Sequence, residues 1–209
     1  MRLKYEWRKR DKALYLPKAE PTVIDVGEYA YFTLSGQGNP NTAAFSEAIG
    51  VLYSLSYAVK MLPKRQAPPE GYYDYTVFPL EGVWDLIDKS QAGQPLDKAN
   101  LKYTIMMRQP DFVTEALAAE VKQHVAKKKP HPLLENTRFE RIAEGLCVQM
   151  LHLGSYDSET HSFAIMQQYC DDNGYRRAQQ SHKEIYITDA RKTEPEKLKT
   201  TLRFGIEKI

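Results

Sequence analysis

EGLCVQMLHLG (residues 144–154), followed after three residues by SETHSFAIMQQYCDDNG (residues 158–174), is the stretch that decides the fold. The first block, apolar and bounded by a glycine, predicts a strand. The second predicts a helix opened by Ser158 and closed by Asn173-Gly174. The same order occurs in the first half of the chain. TVIDVGEYAYFTLSGQGNP reads as a strand from about Thr22 to Ser35, and NTAAFSEAIGVLYSLSYAVKMLP as a helix opened by Asn41 or Thr42 and stopped by Pro63. Two strands follow in each half: YYDYTVFPLEGVWDL and LKYTIMMRQP, then KEIYITD and a last strand around Thr200 to Ile206. Between the halves, DFVTEALAAEVKQHVAKKKP places Val113, Leu117, Val121 and Val125 four apart, a connecting helix stopped by Pro130. Thr193, Pro195 and Glu196 fit a capping box and a short helical turn before the last strand.

Two strand–helix–strand–strand units, about 22–110 and 140–209 with a connecting helix at 111–130, predict one α+β domain over 1–209. Its strands would form an antiparallel sheet with helices on one face, leaving the aromatics of the other face in search of a partner.

Composition narrows the function. The 209 residues carry 29 Lys and Arg against 27 Asp and Glu, a net charge of +2 that argues against a strong nucleic-acid binder. Two cysteines, Cys147 and Cys170, are too few for a disulfide framework and read as buried thiols. The first eighteen residues, MRLKYEWRKRDKALYLPK, resemble no signal peptide, and nothing approaches the roughly 18 apolar residues of a membrane helix. The expectation is a soluble, cytoplasmic chain without membrane partners. No glycine-rich phosphate loop, HExxH or CxxC occurs, so neither a metal nor a cofactor is expected. Fourteen tyrosines against seven phenylalanines favour apolar surfaces that keep a hydrogen-bonding edge. Lys127–Lys129 suit a helix C-terminus.

In SHKEIYITD, alternation puts His182, Glu184, Tyr186 and Thr188 on one face and Ile185 and Ile187 on the other. The isoleucines read as core. The opposite face pairs a carboxylate with a phenol, which either meets solvent or holds a ligand.

HKEIYITD…TEPEKLKT, with VQMLHLGSYDSETHSFAIMQQYCDDNGY before it, resembles the C-terminal half of GyrI-like small-molecule-binding domains. DYTVFPLEGVW and YTIMMRQPDFV are similar to the stand-alone branch of that family, and the resemblance runs from about Thr22 to the end. It implies a duplicated fold with a ligand cleft along a pseudo-two-fold axis and a buried acid at its centre, which falls on Glu184. Relatives serve as effector-binding domains of drug-sensing activators that hold lipophilic cations. Some stand-alone members hydrolyse cyclopropanoid toxins.

On that footing Glu184 is the candidate general base or counter-charge and Tyr186 its orienting donor. Trp84 and Tyr75 are candidate ligand-binding aromatics, each with core packing as the rival reading. Tyr103, Met106 and Phe112 complete the candidate lining, although Tyr103 and Met106 belong to opposite faces of one strand. His152 and His182 read as structural or peripheral. The expected function is binding of flat lipophilic aromatics, with hydrolysis of electrophilic cyclopropanoids. The rivals are a non-catalytic multidrug binder and a topoisomerase-interacting inhibitor, and a homodimer is left open. About twenty residues before the first strand are too few for a helix-turn-helix, which disfavours an activator.

Overall fold

Pro79 sets the first departure from these expectations. It has no N–H for a ladder, so the expected strand over 72–86 is confined to β2, Leu80–Leu86. Before it, Tyr75 makes only an isolated bridge to Tyr5. The computed structural model describes residues 4–91, 93 and 95–209. Its strands are β1 (Thr22–Gln37), β2, β3 (Leu101–Arg108), β4 (Arg138–Leu153), β5 (Tyr175–Arg177), β6 (His182–Tyr186) and β7 (Lys199–Lys208). The helices are α1 (Trp7–Arg10), α2 (Lys12–Tyr15), α3 (Ala43–Lys60), α4 (Glu115–Lys128), α5 (Leu133–Asn136) and α6 (Glu159–Asp172). This is an α+β fold with an antiparallel seven-stranded sheet. The order strand–helix–strand–strand occurs in both halves, with β5 an addition in the second.

The helix ends show what local sequence decides and what it does not. Thr42 caps α3 by accepting from the Phe45 N–H, and Thr114 caps α4 by accepting from Leu117. The connecting helix therefore starts after Thr114 rather than at Asp111, although Val113 is buried ahead of it. Ser158 does not cap α6. It lies in a 3-10 turn, and its hydroxyl turns back to the Ser155 carbonyl at 2.7 Å. The Thr193–Glu196 box does not form either. A 3-10 turn at Pro195–Lys197 follows Glu194, which makes no side-chain cap bond.

Two compact units divide the chain. The first holds residues 4–6, Tyr29–Leu80 and Leu86–Ile142. In it the second half of β1 pairs antiparallel with β3, Tyr31 opposite Arg108 through Gln37 opposite Lys102. Phe45, Leu52, Leu55 and Val59 of α3 are buried, as are Ile105 and Met107 of β3 and Val121 and Val125 of α4.

The second unit holds Trp7–Glu28, Glu81–Asp85 and Ala143–Ile209. Here β7 is central, pairing antiparallel with β4, β5 and β6, while β6 pairs with β2. Residues opposite each other on paired strands share a face, so register assigns two faces. One carries Gly82, Trp84, His182, Glu184, Tyr186, Leu202, Phe204, Val148, Met150 and His152. Met166 and Cys170 of α6 pack on this face, in one apolar cluster with Val148, Met150, Leu202, Phe204 and Ile206. The carboxylate face of KEIYI is therefore the helix-covered one, not an uncovered one.

The isoleucine face holds a buried ionic network. Lys183 Nζ donates to Glu81 Oε2 at 3.0 Å and to Glu144 Oε1 at 2.8 Å. Arg203 donates to Glu144 Oε1 and Gln149 Oε1, and to the Leu14 carbonyl at 2.6 Å, while Gln149 reaches the Ala13 carbonyl. Two acids and two bases thus neutralise one another and fix the N-terminal helical segment over this side. Burial alone would discharge Lys183, but Glu81 and Glu144 outweigh it and raise its pKa. Burial likewise pushes Glu144 up, but the Lys183 and Arg203 charges overcome it and hold the pKa below the ordinary value. Isoleucine alternation gave no warning of a buried lysine beside Ile185.

Candidate functional site

On the α6 side of the second unit, β6 turns His182, Glu184 and Tyr186 onto one face, and β2 brings Trp84 opposite His182. Trp84 Nε1 donates to Tyr186 Oη at 2.9 Å, and Tyr186 Oη donates to Glu184 Oε2 at 2.8 Å. The other carboxylate oxygen, Oε1, lies 3.2 Å from His182 Nε2. A carboxylate only accepts here, so Nε2 of this histidine carries the hydrogen. His182 is thus a member of the site and not the peripheral residue expected. Its ring is held by an edge contact with Phe163 of α6, centroids 4.6 Å apart.

The position opposite Glu184 on β2 is Gly82. A Cβ there would stand 2.8 Å from Trp84 Nε1 and 3.2 Å from Tyr186 Oη. The absent side chain is the space through which the indole reaches the phenol. The sequence reading passed over Gly82, although a glycine inside a strand pattern is the signal of such a close approach.

A second carboxyl completes the group. Glu159, first residue of α6, is 6% exposed and lies near enough to Glu184 to feel its charge. Burial first, then the charge of Glu184, pushes its pKa up to about 10, so it is the proton-bearing member of the pair at neutral pH. Its Oε1 has no hydrogen-bond partner among the described residues. Nothing in the sequence marked Glu159, because an acid in the first turn of a helix already suits the dipole. Tyr156, in the turn before α6, stands edge-on to Tyr186 with centroids 5.9 Å apart and is 40% exposed, while Glu184 keeps 12% of its side chain exposed. Burial and then Glu184 hold the Tyr186 phenol well above its ordinary pKa, so it stays a donor. His152 is structural: Nδ1 meets Ser162 Oγ at 2.9 Å and Nε2 the Ser155 carbonyl at 3.0 Å, tying β4 to the start of α6.

The other candidate residues lie in the first unit. Tyr75 is buried in an aromatic cluster, stacked on Phe78 and edge-on to Phe112 at 6.1 Å each, with Phe112 also against Tyr72 and Tyr73. Tyr103 packs edge-on to Phe45 and lies across Gly36, its partner on β1. Met106 is buried and, one residue out of phase with Ile105 and Met107, turns to the other face of β3. Among the described residues no group of three acids, histidines or cysteines could hold a metal, and no helix is long and apolar enough to cross a membrane.

The sequence model of a family described as GyrI-like small molecule binding domain matches residues 19–207. The fold is similar to that of a hydrolase from Listeria innocua, at 34% identity over 98% of this chain and 100% of that one, with a TM-score of 0.88. A conserved protein of the same organism gives 36% identity over 98% and 100%, with a TM-score of 0.90. The C-terminal domain of EcmrR shares the fold at 17% identity over 94% and 99%, TM-score 0.56. No protein of curated function matches the chain.

Proposed function

The chain belongs to the GyrI-like small-molecule-binding family, and from that premise we propose that it binds flat, lipophilic aromatic compounds and hydrolyses electrophilic cyclopropanoids among them. One observation carries this reading: a solvent-reachable carboxylate, Glu184, oriented by Tyr186 and lined by the rings of Trp84, Tyr186 and Tyr156. Planar aromatic ligands gain area and ring–ring contact against such a lining. The similarity to a Listeria protein described as a hydrolase supports the chemical half of the proposal.

In the proposed reaction Glu184 takes a proton from water as the water oxygen bonds to the strained methylene carbon. The ring C–C bond breaks, its electron pair passes into the conjugated carbonyl as a phenolate, and solvent protonates that oxygen. Tyr186 fixes the direction of the Glu184 lone pairs, and Trp84 fixes Tyr186. Tyr75, Tyr103, Met106 and Phe112, which lie in the first unit, are proposed as contributors to ligand binding by that unit.

A second reading, a binder of lipophilic cations without chemistry, is favoured by the donors that already occupy both Glu184 oxygens, since a fully solvated base would be freer to act. Incubation with a synthetic spirocyclopropyl dienone, with the water adduct followed by mass spectrometry, separates the two. Ring opening faster than in buffer, and lost in Glu184→Gln, is the expected result. A wild-type rate equal to that in buffer would leave the binder.

A further inference from the structure

Glu47, Gly50, Val51 and Ser54 stand three and four residues apart on α3 and so share one stripe of that helix. Within the first unit this stripe faces Val125 of α4 and Leu134 of α5 across a cavity of about 300 Å³, the lower end of the range for small-molecule sites. Val51, Val125 and Leu134 are buried and give it an aliphatic floor. Ser54 Oγ donates to the Gly50 carbonyl at 2.8 Å, so its hydrogen is already engaged. Gly50 keeps the space open, since a Cβ built on it would meet nothing within 4 Å. Glycine is a poor helix former, and a bare position with room for a side chain is one that helix stability alone would have filled.

At the mouth stand Glu47, Lys129 and His131. Pro130 and Pro132 flank His131 and stiffen the link from α4 to α5. The His131 Nδ1 accepts from the Leu133 N–H at 3.2 Å, which leaves the hydrogen of the neutral ring on Nε2. That N–H faces Glu47 Oε2 at 3.7 Å, too far for a hydrogen bond between them. A donor and an acceptor thus confront each other at the opening, at a spacing that a bridging group closes. Lys129 beside them offsets the charge of Glu47, so the mouth favours neither a cation nor an anion.

We propose that this cavity is a second ligand site, for a compact neutral aliphatic alcohol. The hydroxyl accepts from His131 Nε2 and donates to Glu47, while the hydrocarbon body lies on Val51, Val125 and Leu134 and against the bare helix at Gly50. A hydroxyl holds both roles on one atom. A carboxylate ligand would meet Glu47 as a like charge, and an ammonium ligand has no lone pair to accept from His131. The lining carries no phenyl, phenol or indole ring, so a flat aromatic finds no such partner to stack on. The site shares no residue with the Glu184 group, which belongs to the second unit, and does not depend on what that group binds.

The test is methyl-resolved NMR of the full chain with menthol, and with menthone as a probe of the same skeleton that accepts but cannot donate. Menthol should shift the methyl resonances of Val51, Val125 and Leu134 saturably. Menthone should bind about tenfold more weakly, the worth of one lost hydrogen bond. In Glu47→Ala, at a side chain 61% exposed, the two should bind within about twofold of each other, since only the His131 donor remains. Gly50→Leu should fill the cavity, abolish both titrations and raise Tm, leucine being the better helix former. The Trp84 indole N–H resonance reports occupancy near Glu184 separately. Absence of a saturable menthol shift at the three side chains overturns the proposal. So does equal binding of menthol and menthone by the wild type, or a preference for menthol that survives in Glu47→Ala. Shifts that persist in Gly50→Leu, or a lowered Tm in that variant, overturn the placement of the ligand. Should Gly50→Leu not fold, the menthol and menthone titrations of the wild type and Glu47→Ala still decide.

Discussion

Replacing Gly82 by alanine should destabilise the protein, against the usual direction of such a change. A glycine in a strand costs conformational entropy, and alanine at an unstrained site stabilises by about 0.4–1 kcal/mol. Here the added methyl would lie 2.8 Å from Trp84 Nε1 and 3.2 Å from Tyr186 Oη. The indole is 5% exposed and cannot move aside without disturbing its neighbours. Forcing a methyl into a filled site costs roughly 1–3 kcal/mol, and loss of the Trp84–Tyr186 hydrogen bond costs about 0.5–1.5 more. The net expectation is about 1–4 kcal/mol of lost stability, or about 2–4 °C in Tm for each kcal/mol in a chain of this size. Urea unfolding followed by far-ultraviolet circular dichroism measures the first quantity. Tyr186→Phe removes the hydrogen bond in advance, so in that background Gly82→Ala should lose only its packing part, a coupling of about 0.5–1.5 kcal/mol. A neutral or stabilising Gly82→Ala would refute the close approach. A full cost in the Tyr186→Phe background would assign it to packing alone.

Two further outcomes follow from the same unit. Glu184→Gln keeps shape but removes the base, so turnover of a spirocyclopropyl dienone should fall about 10²–10⁴-fold while neutral aromatics bind nearly as before; undiminished turnover would remove Glu184 from the mechanism. Lys183→Met strands Glu81 without its cation and should cost about 3–5 kcal/mol by urea unfolding, most of it recovered in Lys183→Met with Glu81→Leu, and a mild single variant would contradict the buried network.

The order of elements was legible because alternation, helical spacing and caps such as Thr42 are local. The departures share one cause: short-range signals with rivals in the tertiary structure. Ser158 looks like a cap, yet its hydroxyl is drawn to the Ser155 carbonyl and toward His152. The site was legible in part. Glu184, Tyr186 and Trp84 came from the motif and alternation, and the structure joins them through two hydrogen bonds. Glu159 was not, because only the packing of α6 on β6 turns a first-turn acid into a partner for Glu184. Lys183 was hidden for the matching reason: a lysine between apolar neighbours reads as an exposed face until Glu81 and Glu144 arrive from other strands.

The pH dependence of stability should carry the mark of Glu159. Its pKa rises from the ordinary 4.5 to about 10 on folding, so the folded state binds a proton that the unfolded state gives up between those values. Stability contributed by this group is therefore full below the ordinary carboxylate range and falls as pH rises, by at most about 1.4 kcal/mol per pH unit. Glu144 acts at the opposite end. Its folded pKa is depressed, so its contribution is present above the ordinary range and lost as pH falls through the folded value. Lys183, with a raised folded pKa, loses its contribution only as pH rises through the strongly alkaline range. From mildly acid to mildly alkaline pH the downward slope thus belongs chiefly to Glu159. Glu159→Gln should flatten it and leave the protein more stable at alkaline pH than the wild type. Glu184→Gln should flatten it only in part, because burial is the larger cause of the shift and the neighbouring charge the smaller. Urea unfolding across that range tests both. A wild-type slope that survives in Glu159→Gln would mean that another group titrates across this range. A slope abolished in Glu184→Gln would mean that the like charge, rather than burial, holds the proton in place.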